Sequence, residues 1–431
     1  MIRDRHVVWC SWLWVVVAWA MLLGAADAQM RQERDEDKEV SLALMNGDLV
    51  EGDFVRADEK EIVIKVNGVD RVVKVEDAHP TDLFDLRVWV MARDNPRIFV
   101  EYGRRYLAGR YADKAMANEW FGKALAVDKS LQTLIDEVRQ NPDRPVDVNP
   151  DAKVEGQKFR QSDPEMEKAV LEVSEGWYRL IKKRVNKKCA RVETEHFLIY
   201  TTWKKADHKK LGKQLEKLYS TLCRKFDIPK EENIWTPKMP IYCFWKQRDF
   251  QRFYVEAFDR RSPPAAGLCG HRLSFSYVIL NQMRNPGRSV KQDRQWFYEV
   301  LVHETTHAFN NRYLSDIHLP TWFNEGIAEY MAASLVPGCM ADGDWRVATR
   351  YVRDGLVDVS HNFERFGGRR LDYAVVQSMV RYMLHKKNKK KFIKFYKLLK
   401  AGKSQKEALD EAYGWDEAEL IDRWMRASRK M

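Results

Sequence analysis

Cysteine is scarce and badly spaced for holding metal. Six occur in 431 residues and no two stand as C-x-x-C, which excludes a cysteine-built zinc ribbon or finger. Glycine and proline, at 21 and 14, are also sparse, so the chain is neither collagen-like nor a low-complexity polymer. After residue 28 no apolar run approaches transmembrane length. No nucleic-acid-binding motif is present, and no nucleic-acid partner is expected.

What is present is an ordinary globular composition: 45% hydrophobic, 12% aromatic and 32% charged. The length predicts two or three domains. The first segment stands apart. Arg3 and Arg5 precede the apolar run VVWCSWLWVVVAWAMLLG, and Ala26-Asp27-Ala28 supplies a small-residue cleavage site. The pattern predicts a secretory signal peptide over residues 1–28. An uncleaved membrane anchor is the alternative. The product is then secreted or periplasmic. Residues 1–28 hold equal numbers of acids and bases, so the mature chain keeps the full net charge of +11. That excess favours an anionic partner such as a cell-envelope surface. Cys10 leaves with the signal, and Cys189, Cys223, Cys243, Cys269 and Cys339 remain. Export permits disulfides, but an odd count leaves at least one thiol unpaired.

Residues 38–80 alternate short β-rich runs, such as EIVIKV and RVVKV, with turn signals at Asn46-Gly47-Asp48 and Asn67-Gly68. They predict a small antiparallel barrel that resembles SH3-like or Sm-like modules. Residues 81–140 predict a helical hairpin, and WFGKALAVDKS resembles the second helix of a tetratricopeptide repeat. Only one unit is visible, which favours a hairpin packed on a neighbour over a peptide-binding array. The Pro-, Asp- and Asn-rich stretch 141–164 predicts a linker. Residues 165–431 then predict a mostly helical domain with a small mixed sheet. HFLIYTT, MPIYCFW and RLSFSYVILNQ read as its strands, the last as a possible substrate-pairing edge. The fold class is therefore α+β.

The chemistry concentrates in VHETTHAFNN. His303 and His307 are four apart, so on a helix they share one face and can offer two imidazoles to one metal. Glu304 is turned about 100° around the axis, where it can reach an attacking water without ligating. A catalytic zinc needs a third protein ligand and one open position. Glu325, in TWFNEGIAEY, lies 18 residues after His307, and an antiparallel turn would return it to the metal. Glu329, one turn later, can accept the free ring N–H of a histidine ligand and fix its tautomer.

These residues resemble the gluzincin metallopeptidases: His303-Glu304-x-x-His307 followed by Trp322-Phe323-Asn324-Glu325-Gly326-x-Ala328-Glu329-Tyr330. The Asn-Glu-Gly tripeptide is similar to the third-ligand signature of the aminopeptidase branch. The Glu325/Glu329 pair is similar to the thermolysin branch. Residues 190–428 resemble a peptidase-MA-like domain of exported bacterial proteins. The resemblance implies Zn²⁺, with His303, His307 and Glu325 as ligands and Glu304 as general base. It also implies a transition-state donor on a later helix, for which Tyr373 is the candidate. No G-x-M-E-N segment is present to hold a free amino terminus, which favours an endopeptidase over an aminopeptidase acting on a polypeptide substrate.

The lysine-rich run HKKNKKKFIKFYKLLK predicts either a membrane-binding face or, more simply, the solvated side of a packed helix. Two functions fit the whole chain. One is an exported zinc metallopeptidase. The other is a non-enzymatic adhesion or scaffold protein with a retained zinc fold. Intact Glu304 favours the first, since a structural zinc site needs no base and is normally closed by four protein ligands.

Overall fold

The computed structural model describes residues 39–107, 114–142, 146, 164–229, 232–258, 261–272, 275–283, 287–315, 317–354, 359–364, 366–385 and 387–428. The predicted signal segment 1–28 and nearly all of the predicted linker 141–164 lie outside them. The chain divides into two compact units, residues 1–78 and 79–431.

The first unit holds four strands: β1 (Glu39–Ala43), β2 (Leu49–Ala57), β3 (Glu61–Val66) and β4 (Val69–Lys74). They form an antiparallel meander in sequence order. Asn67, at φ 51°, and Gly68, at φ 82°, make the two-residue β3–β4 turn. Here the expectation of a barrel is corrected. Closure requires the first and last strands to pair, and β1 and β4 do not. A single bridge from Leu44 to Ala78 joins the segments that follow them. Leu42, Val50, Ile62 and Ile64 are the buried face of this open sheet.

The second unit opens with α1 (Pro80–Asp94), α2 (Arg97–Leu107), α3 (Lys114–Val127) and α4 (Gln132–Gln140). The predicted hairpin corresponds to α2 and α3, with a helix on either side. Then come α5 (Pro164–Leu180), β5 (Ala190–Glu193), β6 (Phe197–Thr201), α6 (Lys205–Phe226), β7 (Met239–Phe244), α7 (Gln247–Phe258), β8 (Gly267–Arg272) and β9 (Phe275–Asn281). The rest is helical: α8 (Val290–Arg312), α9 (Thr321–Leu335), α10 (Met340–Arg353), α11 (His361–Glu364), α12 (Arg370–Met383), α13 (Lys389–Lys400), α14 (Gln405–Tyr413) and α15 (Glu417–Ser428).

The five strands form a mixed sheet in the order β5-β6-β7-β9-β8. β6, β7 and β9 run parallel, and β5 and β8 are antiparallel edges. Parallel strands are covered on both faces, and the sequence provides for it. On one face Tyr242 and Tyr277 meet Trp177 of α5 edge-on, while Tyr200 stacks on Tyr242. Trp177 is itself buried and donates Nε1–H to Thr81 Oγ1 at 3.1 Å. On the other face Ile199, Ile241, Cys243, Val278 and Leu280 enter the main core beneath α6 and α8. α6 is lysine-rich and is held by its apolar stripe. Leu211, Leu215, Leu218 and Leu222 are all buried, at about 1.5–3 kcal/mol each. β9, read from sequence as a possible substrate-pairing edge, is interior. The edge beside it is β8.

All five described cysteines are free thiols. No helix among the described residues is long and apolar enough to cross a membrane.

Candidate metal centre

Two helices and the turn between them build the site. α8 starts at a capping box, in which Ser289 Oγ accepts from Gln292 N–H and the Gln292 side chain accepts from Ser289 N–H. Phe297, Leu301, Val302, Ala308 and Phe309 bury one side of this helix, leaving His303, Glu304 and His307 on the other. α9 begins after Pro320. The two helices are tied near the turn, where Asn310 Nδ2 donates to Asn324 Oδ1 at 2.7 Å. Tyr396 Oη approaches Asn310 Oδ1 at 3.3 Å. Buried Lys400 reaches in from α13 and donates to Asn310 O at 2.6 Å and Ile317 O at 2.8 Å. Lys400 thus satisfies carbonyls on both sides of the α8 terminus.

This frame brings three donor atoms together. His303 Nε2 and His307 Nε2 are 3.0 Å apart. Glu325 Oε2 is 3.3 Å from each of them. Two ligands of one tetrahedral ion, at bond lengths of about 2.0–2.1 Å, lie about 3.3 Å from each other. The three side chains are only 12–17% exposed. Glu325 Oε2 is buried and makes no well-directed hydrogen bond. His307 Nδ1 is likewise buried without a hydrogen-bond partner. A carboxylate oxygen orphaned between two imidazole nitrogens fits a cation. His303, His307 and Glu325 are a group able to hold a metal ion.

Around the three donors the charges are arranged in order. His303 Nδ1 faces Glu329 Oε1 at 3.0 Å, which directs Nε2 toward Glu325. Burial disfavours the charged imidazole of His303, but Glu325 and Glu329 outweigh it and push its pKa well above the ordinary value. Burial likewise works against the Glu325 carboxylate, and the two imidazoles override it and hold its pKa far below the usual range. Glu304 is half-buried and forms no hydrogen bond or ion pair among the described residues, so its oxygens are uncommitted.

Tyr373, at the start of α12, joins this group. Its ring centre is 6.3 Å from that of His303, and Phe366 packs edge-on against it at 5.0 Å. Burial, then the charges of Glu325, Glu329 and Glu304, raise its pKa above the ordinary phenol value, so the hydroxyl keeps its proton. Gly326 permits this approach of α12. A Cβ there would lie 2.7 Å from Val376 O and 2.7 Å from Val380 Cγ2.

Three features here were missed by sequence reasoning. β8 runs against α8, and a Cβ on Gly267 would lie 3.2 Å from Glu304 Cγ and 2.7 Å from Val300 Cγ1. Cys269, two residues on, has its thiol pKa raised by burial and by the charge of Glu304. Glu299, one turn before His303, accepts from Met340 N–H at 3.3 Å and Ala341 N–H at 2.9 Å, holding the start of α10. The first two sit in a glycine-rich stretch without alternation. The third is a single acid within an apolar helix face. A second group, Glu195, His196 and Glu216, could also hold an ion by spacing. There His196 Nδ1 is already bonded to Glu216 Oε2 at 2.7 Å, and Glu195 is exposed.

Residues 289–429 match the family model of the Peptidase MA superfamily. The match begins at the Ser289 cap and takes in the paired helices, Tyr373 and the closing helices. Over this segment the chain is similar to that superfamily of peptidases. No curated protein matches the chain.

Proposed function

We propose that the protein is an exported zinc-dependent endopeptidase, with His303, His307 and Glu325 holding the ion and Glu304 acting as general base. The observation that carries this reading is the meeting of His303 Nε2, His307 Nε2 and Glu325 Oε2 at 3.0–3.3 Å beside an uncommitted Glu304. When bound, zinc supplies a Lewis acid that brings the pKa of an attacking water toward ~7.

The protein's own groups do the rest. Glu304, on the same helix as both imidazoles but turned away from their line, takes the proton of the attacking water and returns it to the leaving amine. Glu329 keeps the His303 proton on Nδ1 and the lone pair on Nε2. Tyr373 keeps its hydroxyl proton and donates a hydrogen bond to the oxygen that gains charge in the transition state. β8 lies beside Glu304 as an edge strand of the sheet, a place for an extended polypeptide. Export rests on the basic-then-apolar segment 1–28 with its Ala-Asp-Ala site. The absence of a motif for binding a free amino terminus favours cleavage within chains. The net charge of +11 suits work near anionic envelope surfaces.

The test is metal analysis with a peptide-library digest of the wild type and Glu304→Gln. One zinc per chain in both, with cleavage lost in the variant, is the expected result. Equal cleavage by the two proteins rules out Glu304 as base, and a wild type that binds no zinc removes the metal assignment.

A further inference from the structure

Three cations of the second unit gather around two aromatic rings. Arg381 lies in α12, Arg346 in α10 and Lys225 in α6. None forms an ion pair among the described residues, whereas nearby Arg370 is bonded to Asp344 at 2.7 Å. They collect on two aromatic rings instead. The Arg381 guanidinium carbon is 4.6 Å from the centre of Trp345 and 5.6 Å from that of Tyr330. The Arg346 guanidinium carbon is 5.2 Å from the same Trp345. Lys225 Nζ is 5.0 Å from the centre of Tyr330 and donates to its hydroxyl at 2.7 Å.

Aromatic faces attract cations but do not satisfy the in-plane donors of a guanidinium. Arg381 Nε and Trp345 Nε1 are both buried without a hydrogen-bond partner. Burial lowers the Arg381 pKa, and the neighbouring charge of Arg346 adds to this, against attraction from Tyr330 and Asp342. Asp342 acts on Arg381 through its charge, and one of its oxygens already accepts from Gly338 N–H at 3.1 Å. Arg381 shares Trp345 with Arg346 and Tyr330 with Lys225, and a set of three cations around two adjoining rings suits an anion of more than one charge. Planar guanidinium forks and an ammonium point charge are the usual set for phosphate oxygens.

We propose that Arg381, Arg346 and Lys225, seated on Trp345 and Tyr330, form a binding site for a phosphate-type dianion, separate from the His303–His307–Glu325 centre. Arg381 is two helical turns beyond Tyr373, about 12 Å along α12. Tyr330 follows Glu329 and is turned about 100° from it around α9. The ligand is either free phosphate or a phosphoryl group carried on a larger molecule.

The full-length, metal-loaded protein is titrated with inorganic phosphate, phenyl phosphate and acetate at constant ionic strength, followed by calorimetry and tryptophan fluorescence. Saturable phosphate binding at one site, with acetate at least about tenfold weaker, is expected. Arg381→Gln should weaken binding about tenfold or more, and Arg346→Gln severalfold. Arg346 is exposed, so its variant reports on binding if Arg381→Gln disturbs packing. Phenyl phosphate binding well above inorganic phosphate assigns the site to a carried phosphoryl group, and similar binding assigns it to free phosphate. Absence of saturable binding at millimolar phosphate, equal binding of acetate, or undiminished binding by both variants overturns the proposal.

Discussion

Replacing Glu329 by glutamine probes the candidate metal centre without touching any proposed ligand. The amide oxygen of Gln can still accept from His303 Nδ1 across the 3.0 Å now spanned by the carboxylate. The substitution therefore removes a charge more than a contact. Such supporting carboxylates are worth roughly 10- to 100-fold in metal affinity, about 1.4–2.7 kcal/mol. The pH dependence carries a second, signed expectation. In the metal-free protein burial lowers the His303 pKa, while Glu325 and Glu329 raise it further than burial lowers it. Below that raised pKa an incoming ion must displace a proton, and affinity falls about tenfold per pH unit. Glu329→Gln removes one of the two raising charges, so its His303 gives up the proton at lower pH. The affinity deficit of the variant should be largest in alkali and should narrow toward acid. Zinc affinities from chelator competition between about pH 6.5 and 9 would test this. Equal affinities throughout, or a deficit that widens in acid, would refute the role given to Glu329.

Tyr373→Phe should lower kcat about 100-fold with little change in KM, the loss typical of one transition-state donor; unchanged kcat would leave Tyr373 as packing alone. Gly326→Ala places a methyl 2.7 Å from the Val376 carbonyl oxygen. Overpacking of about 1–3 kcal/mol should exceed the helix-propensity gain of about 1 kcal/mol, for a net loss near 1 kcal/mol in urea unfolding. A net gain would mean that α9 and α12 have room to spare. His79 is partly buried, which lowers its pKa, but Asp82 and the Glu256 carbonyl prevail and raise it above the ordinary value. Its contribution to stability is then full below about pH 6.5 and lost as pH rises through the folded-state pKa. The stability gap between wild type and His79→Gln should shrink over that window, and a gap independent of pH would count against it.

Much of the centre could be read because it rests on short-range periodicity. His303 and His307 at i and i+4, and Glu325 and Glu329 at i and i+4, each define a helix face from sequence alone. The pairing of those faces needed only an antiparallel turn. β8 was not readable, because Gly267 and Gly270 interrupt the alternation that marks a strand. The glycine at 267 is set by the side chains of Val300 and Glu304, more than thirty positions away in sequence. The open meander was read as a barrel for a related reason. Hairpin turns announce neighbouring strands but not whether the first and last strands meet. The lysine-rich run was legible as helix, yet nothing local separates Lys400 from its solvated neighbours. Its burial is decided by one carbonyl in the last turn of α8 and one in the segment that follows it.

That lysine makes the segment around the candidate metal centre indivisible. A chain ending at Met383 would keep His303, Glu304, His307, Glu325, Glu329 and Tyr373, and would lose the cation that clamps the hinge between their two helices. The Asn310 and Ile317 carbonyls would be left to find other donors, and the spacing of His307 to Glu325 would no longer be fixed from behind. The boundary of the working site in space therefore extends well past its last chemical residue in sequence. Fragments trimmed to the motif should lose the 3.0–3.3 Å meeting of His303, His307 and Glu325 even where they fold.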